Sequence, residues 1–160
     1  MHTRPATKDD ADFLYAMLYE ATRWNPDWPR DPIDEVLSEP MLRRYHEAWG
    51  RPGDGGVIAE LDGEPVGAAW YRQFSVEQPG YGFVDEKIPE LSIAVKPLHR
   101  RKGIGETVLR AALVQAREEG FQALSLSVAV HNRSRMMYQR VGFEKVSEDD
   151  SGSWTMVANL

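Results

Sequence analysis

The sequence predicts an α/β domain: a mixed, mostly antiparallel sheet of six to seven strands with one central parallel pair and helices on both faces. Three observations lead there. The apolar runs at 90–95 and 124–130 flank a helical pattern at 105–119, and two strands joined by a helix of that length pair in parallel through a right-handed crossover. Asp62-Gly63, set between the apolar runs 57–61 and 65–72, is a strong hairpin turn. The chain opens on a strand-then-helix pattern and closes on an antiparallel hairpin, 143–146 with 153–158.

The elements follow in order. Residues 3–6 read as a short strand. Thr7, with Asp9 and Asp10 behind it, starts a helix over about 8–22, in which Phe13, Leu14, Met17 and Leu18 recur at helical spacing. Pro26, Pro29 and Pro32 end any helix there, because proline lacks the N–H and clashes with the preceding turn. A second helical segment covers 34–49, and 53–56 is a loop. A glycine-rich loop at 79–84 leads into the strand at 90–95. Gly120 is a C-cap for the 105–119 helix, and a short helix spans about 134–141. No repeat, low-complexity segment or internal boundary is visible, so residues 1–160 form a single domain.

Composition narrows the function. A net charge of −6 argues against nucleic acid as a partner, since such domains carry a basic face. No apolar run approaches the roughly 18 residues of a membrane span, and residues 1–5 lack a signal-peptide apolar region, so the expectation is no membrane and a cytoplasmic location. Cysteine is absent, which excludes a covalent acyl-cysteine route. The four histidines, His2, His46, His99 and His131, show no metal-ligand spacing, so no metal is expected.

One run stands out against the acidic background. Arg100-Arg101-Lys102-Gly103-Ile104-Gly105 lies between a strand and a helix. Glycines allow close backbone approach, and the unpaired N–H groups of a helix start, with its positive dipole end, face an anion. The run points to a pyrophosphate-bearing cofactor. A dinucleotide fingerprint needs a third glycine where Val108 stands, and a P-loop needs Gly-Lys-Ser/Thr, which does not occur.

With these residues the chain resembles the GNAT acyltransferase family, which moves an acetyl or other acyl group from coenzyme A to an amine. The run 100–105 matches the family's Arg/Gln-x-x-Gly-x-Gly/Ala loop. Asn132, Tyr138 and Gly142-Phe143 match its second signature, and the element order agrees over nearly the whole chain. The resemblance implies acetyl-CoA as donor and a GNAT fold. It implies cofactor contacts from the backbone of Ile93, Ala94 and Val95, from the N–H groups of Arg101, Lys102, Gly103, Ile104 and Gly105, from the side chains of Arg100, Arg101 and Lys102, and from Asn132. Tyr138 would protonate or orient the departing sulfur. Glu90 would be the general base, with Asp85 and Glu86 as rivals. For an acceptor pocket, Trp24, Trp28, Tyr71, Tyr81 and Asp85 would suit a cationic amine. A small-molecule amine is the expected acceptor. A protein or peptide acceptor and a non-catalytic CoA-binding sensor are the alternatives. Homodimers are common in the family, so a homodimer is an assembly the resemblance admits.

Overall fold

In the computed structural model, which describes residues 1–160, seven strands form one sheet: β1 (His2–Pro5), β2 (Gly55–Leu61), β3 (Glu64–Arg72), β4 (Glu90–Val95), β5 (Ala123–Val128), β6 (Glu144–Glu148) and β7 (Trp154–Asn159). Their spatial order is β1-β2-β3-β4-β5-β7-β6. Every neighbouring pair is antiparallel except β4 and β5. The helices are α1 (Ala11–Thr22), α2 (Ile33–Leu37), α3 (Pro40–Arg43), α4 (Ile104–Glu118) and α5 (Ser134–Val141). No helix is long and apolar enough to cross a membrane.

The sheet buries both faces. Ala69, Tyr71, Leu91, Leu124 and Leu126 pack under the α4 stripe Ile104, Val108, Leu109, Ala112 and Ala116, with Tyr138 of α5. Ile58, Ala68, Trp70 and Ala94 pack on the other face against Leu14, Met17 and Leu18 of α1 and Leu37 of α2. Strand alternation therefore sends the adjacent Trp70 and Tyr71 into opposite cores.

Local chemistry sets the boundaries. Thr7 caps a short 3-10 turn at Lys8–Asp10 that leads into α1: its hydroxyl accepts from Asp9 N–H, and Asp10 returns a carboxylate to Thr7 N–H at 2.8 Å. Asp62 and Gly63 both take positive φ (53° and 82°), the turn their dipeptide predicts for the β2–β3 hairpin.

The segment expected as one helix over 34–49 is instead α2, α3 and a run of turns. Pro40 forces Glu39 into an extended conformation (ψ 132°), which breaks the helix there. Beyond Arg43 the carbonyls of Arg44 and Glu47 accept from Arg72, at 3.1 and 2.8 Å, in place of helical N–H groups. Arg72 is itself buried and holds Asp54 in a two-pronged ion pair at 3.0 and 2.6 Å. This clamp fixes the segment 44–54 against the end of β3.

Removing one partner of a buried ion pair leaves a desolvated charge. Asp54→Ala is expected to lower unfolding free energy by about 3 kcal/mol in urea titrations, because Arg72 keeps its carbonyl acceptors but loses its counter-charge. A loss below about 1 kcal/mol, the range of exposed pairs, would show that the clamp does not hold this segment.

Candidate active site

The sheet opens where its one parallel pairing stops. β4 and β5 form a single bridge, Glu90 with Ser125, supported by Ser125 N–H donating to Pro89 carbonyl at 2.9 Å. Lys96 N–H reaches Val66 carbonyl at 2.8 Å, so the even residues of β4 bond to β3 and the odd ones face β5. Beyond the bridge the strands diverge. The N–H groups of Ile93 and Val95 then face an open cleft, whereas Ala94, expected alongside them, turns its N–H to β3 and its methyl to the α1 core. Across the cleft Ser127 of β5 presents its own backbone.

At the wide end of the cleft lies the basic turn. None of the N–H groups of residues 101–106 donates to any group of the chain. Arg101 and Gly103 adopt left-handed backbone (φ 62° and 82°), folding these groups into a concave nest at the start of α4. A Cβ at Gly103 would meet nothing within 4 Å, so backbone conformation and not crowding selects glycine there. The arrangement fits a pyrophosphate: consecutive free donors at a helix N-terminus, with the exposed Arg101 and Lys102 beside them.

Arg100 departs from expectation. Its Nε donates to Val95 carbonyl at 3.0 Å and its Nη2 to Glu20 Oε1 at 3.1 Å. Glu20, largely buried at the end of α1, needs cationic partners and takes Arg30 on its other oxygen. Two of the Arg100 guanidinium nitrogens are thereby engaged by the protein itself.

Glu90 stands at the narrow end of the cleft, on the α1 face, with 4% of its surface exposed. Its Oε1 accepts from Gly82 N–H at 2.9 Å, and its Oε2 accepts a short hydrogen bond from the Tyr45 hydroxyl. Burial pushes its carboxyl up to about 7, against the lowering effect of those two donors. Tyr45 oxygen in turn accepts Tyr81 N–H at 2.7 Å, and Arg44 donates to Pro79 carbonyl at 2.7 Å. The loop 79–83 is thus fastened over Glu90. Gly82 lies against β5 just past the bridge, where a Cβ would stand 2.6 Å from the Leu126 carbonyl carbon. Tyr45 was not legible as a site residue, since it lies 45 positions from Glu90 inside a stretch that reads as helix.

Tyr138 lies on the opposite face of the sheet. It is buried in the α4 core, its ring edge-on to Phe143 at 6.0 Å. Burial holds its phenol far above the usual range, with Ser134 lowering it in part, so it stays protonated at neutral pH. Asn132 spends its side-chain oxygen on Ser134 N–H at 2.9 Å, a local Asx-type turn just before α5, which leaves its amide NH2 as the group able to meet a ligand.

The expected acceptor residues do not form one pocket. Tyr71 is fully buried on the α4 face, bonded through its hydroxyl to Glu119 at 2.7 Å, and so is removed from the Glu90 side by the alternation of β3. Trp24 and Trp28 pack on each other edge-on at 4.9 Å, in the segment whose Arg30 joins Glu20 and hence the Arg100 turn. Tyr81, 57% exposed, stacks on Tyr45 near Glu90. Asp85 is exposed and closes a local turn onto Lys87 N–H. Glu86, the other rival base, is used on Val76 N–H.

Comparison with known proteins agrees with this geometry. The model of the acetyltransferase (GNAT) family matches residues 15–143. An uncharacterized N-acetyltransferase of Archaeoglobus fulgidus is 30% identical over 159 residues, covering 96% of this chain and 99% of the relative. The mycothiol acetyltransferase of Propionibacterium freudenreichii subsp. shermanii is 28% identical over 88% of this chain, which spans only 42% of that protein. The crystal structure of a ribosomal-protein-alanine N-acetyltransferase from Brucella melitensis superposes with a TM-score of 0.69 at 25% identity over the full length of both chains. A split sheet with an anion nest at its mouth and a family match over most of its length make this chain a member of the GNAT acetyltransferase family, an acyl-CoA-dependent N-acetyltransferase.

Proposed function

We propose that this chain acetylates a primary amine on a small molecule by direct transfer from acetyl-CoA, with Glu90 as general base and Tyr138 as the acid at the leaving sulfur. One observation supports the reading: a buried carboxylate stands where the β4–β5 cleft begins, and a buried phenol lies in the core on the opposite face of the sheet. The donor supplies the acyl group as a thioester. In this reading the N–H nest of 101–106 with Arg101 and Lys102 holds its phosphates, and the free N–H groups of Ile93 and Val95 line its arm.

The residues divide the work. An alkyl ammonium has a pKa near 10, and only its neutral form attacks. Glu90 takes the proton lost by the amine nitrogen as the N–C bond forms. Ile93 N–H donates to the carbonyl oxygen as charge develops on it, a contact worth about 3 kcal/mol in comparable acyl-transfer sites. Tyr138, held protonated, gives its proton to the sulfur as the C–S bond breaks. The cysteine-free chain needs no acylated residue.

The covering loop supports a small acceptor. The loop 79–83 is fastened beside Glu90 with the Tyr81 ring exposed, and that phenol is raised by partial burial and then by Glu39, with Arg44 lowering it in part. An aromatic face with carboxylates beside it suits a cationic amine. A peptide acceptor is the second reading, favoured by the Brucella melitensis neighbour, whose name states a ribosomal-protein alanine.

Thiol released from acetyl-CoA, followed across polyamines, aminoglycosides, amino acids and short peptides, decides between them. Release with a small amine is expected. Release with peptides alone would overturn the small-molecule reading, and silence from a protein that still binds coenzyme A would mark a sensor. In the active pairing, kcat/KM is expected to rise with pH through about 7, where Glu90 loses its proton, well below the amine's own titration. Glu90→Gln should remove that limb and lower the plateau by roughly 10² or more. Tyr138→Phe should lower kcat and spare coenzyme A affinity. A retained limb in the first variant or unchanged turnover in the second would contradict the assigned roles.

A further inference from the structure

For the ionised Glu90, the hydrogen bonds around the carboxylate follow from the donors that face it. A backbone N–H only donates, so Tyr81 N–H occupies an acceptor site on the Tyr45 oxygen, and the single hydroxyl proton of Tyr45 is left for Glu90 Oε2. Gly82 N–H, another obligate donor, takes Oε1. Both carboxylate oxygens are therefore met by donors, and the pair fixes the plane of the carboxylate as well as its position. The Tyr45 ring that aims the hydroxyl is itself buried, tilted against Phe74 at 5.0 Å and stacked with Tyr81 at 6.2 Å. The segment that carries it is held to β3 by Arg72.

We propose that Tyr45 is a positioning residue for the transfer reaction: its hydroxyl orients the Glu90 carboxylate toward the cleft and ties it to the loop 79–83 that covers it. The assignment rests on the reading of Glu90 as the base. A carboxylate in so dry a place would otherwise favour its neutral form and could not take a proton at neutral pH. Two donors, one of them Tyr45, oppose that tendency, and they leave the charged form accessible near neutrality.

The other groups around Glu90 do not substitute for Tyr45. Arg72 stands opposite Glu90 in the β3–β4 register, but its guanidinium is closed on Asp54 and main-chain carbonyls. Ser125, its bridge partner on β5, is fully buried, and its hydroxyl has no partner. Arg44 is turned to Pro79 carbonyl, and the Tyr81 ring is exposed. Of these side chains, only Tyr45 donates to the carboxylate.

Tyr45→Phe keeps the ring and removes the hydroxyl. The direct readout is the Glu90 carboxyl band in infrared difference spectra, assigned with Glu90→Gln and titrated in the free protein. Losing a donor that favours the anion is expected to move its midpoint up by about one pH unit, equivalent to a tenfold change in the ionisation equilibrium. In turnover of acetyl-CoA with the best amine of the panel, the same shift appears as a loss of about tenfold at pH 6 that largely disappears at pH 9. An unmoved midpoint, or a loss equal at both pH values, would overturn the positioning role and leave Tyr45 a packing residue. Should Glu90→Gln keep the acidic limb, the base reading itself fails, while the infrared midpoint still reports whether Tyr45 governs Glu90.

Discussion

The site depends on one interrupted pairing. A parallel strand pair normally continues its ladder along both strands, but β4 and β5 bridge only at Glu90 and Ser125 and then part. Antiparallel neighbours hold each strand on its outer side, β3 against β4 and β7 against β5, so the opening leaves the rest of the sheet intact. Unpaired strand N–H groups in a protein interior are expensive unless something meets them. The cleft between these strands is therefore shaped for an extended ligand that pairs like a strand, with the donor nest of 101–106 at its wide end.

Charge placement follows the same geometry. Glu20, Arg30 and Arg100 form a closed cluster that braces the turn before α4. Arg101 and Lys102 remain exposed, so the positive charge available to a ligand is narrower than the basic triplet suggests. At the other end of β4, burial and two donors act on Glu90 in opposite directions and leave its carboxyl near neutrality. Five residues of strand, about 17 Å by the usual rise, separate Glu90 from Val95 at the cleft's wide end. Tyr138 stays protonated because it is buried with no charged partner.

Much of this was legible in the sequence because it is local. The Asp62-Gly63 turn, the strand–turn–helix unit around Gly103 and the Thr7 start each need only a few adjacent residues. Glu90 and Tyr138 are singled out by a family pattern alone, and in the structure they lie on opposite faces of the sheet. What stayed hidden is set by distant partners. Arg100 is claimed by Glu20, 80 positions away, and Tyr45 meets Glu90 across 45. Tyr71 reads as a pocket aromatic until the phase of β3 places it under α4. The helix expected at 34–49 fails because Pro40 breaks it and because Arg72, outside the segment, takes the carbonyls a helix would use.

In the proposed reading, the parted strands and the turn at 101–106 form one continuous donor surface for coenzyme A. Residue-resolved amide exchange by NMR, with and without coenzyme A, tests it most directly. Slowed exchange is expected at residues 101–106 and at Ile93 and Val95, with the even residues of β4, already bonded to β3, little changed. Binding of coenzyme A that leaves the amides of 101–106, Ile93 and Val95 exchanging as before would contradict it.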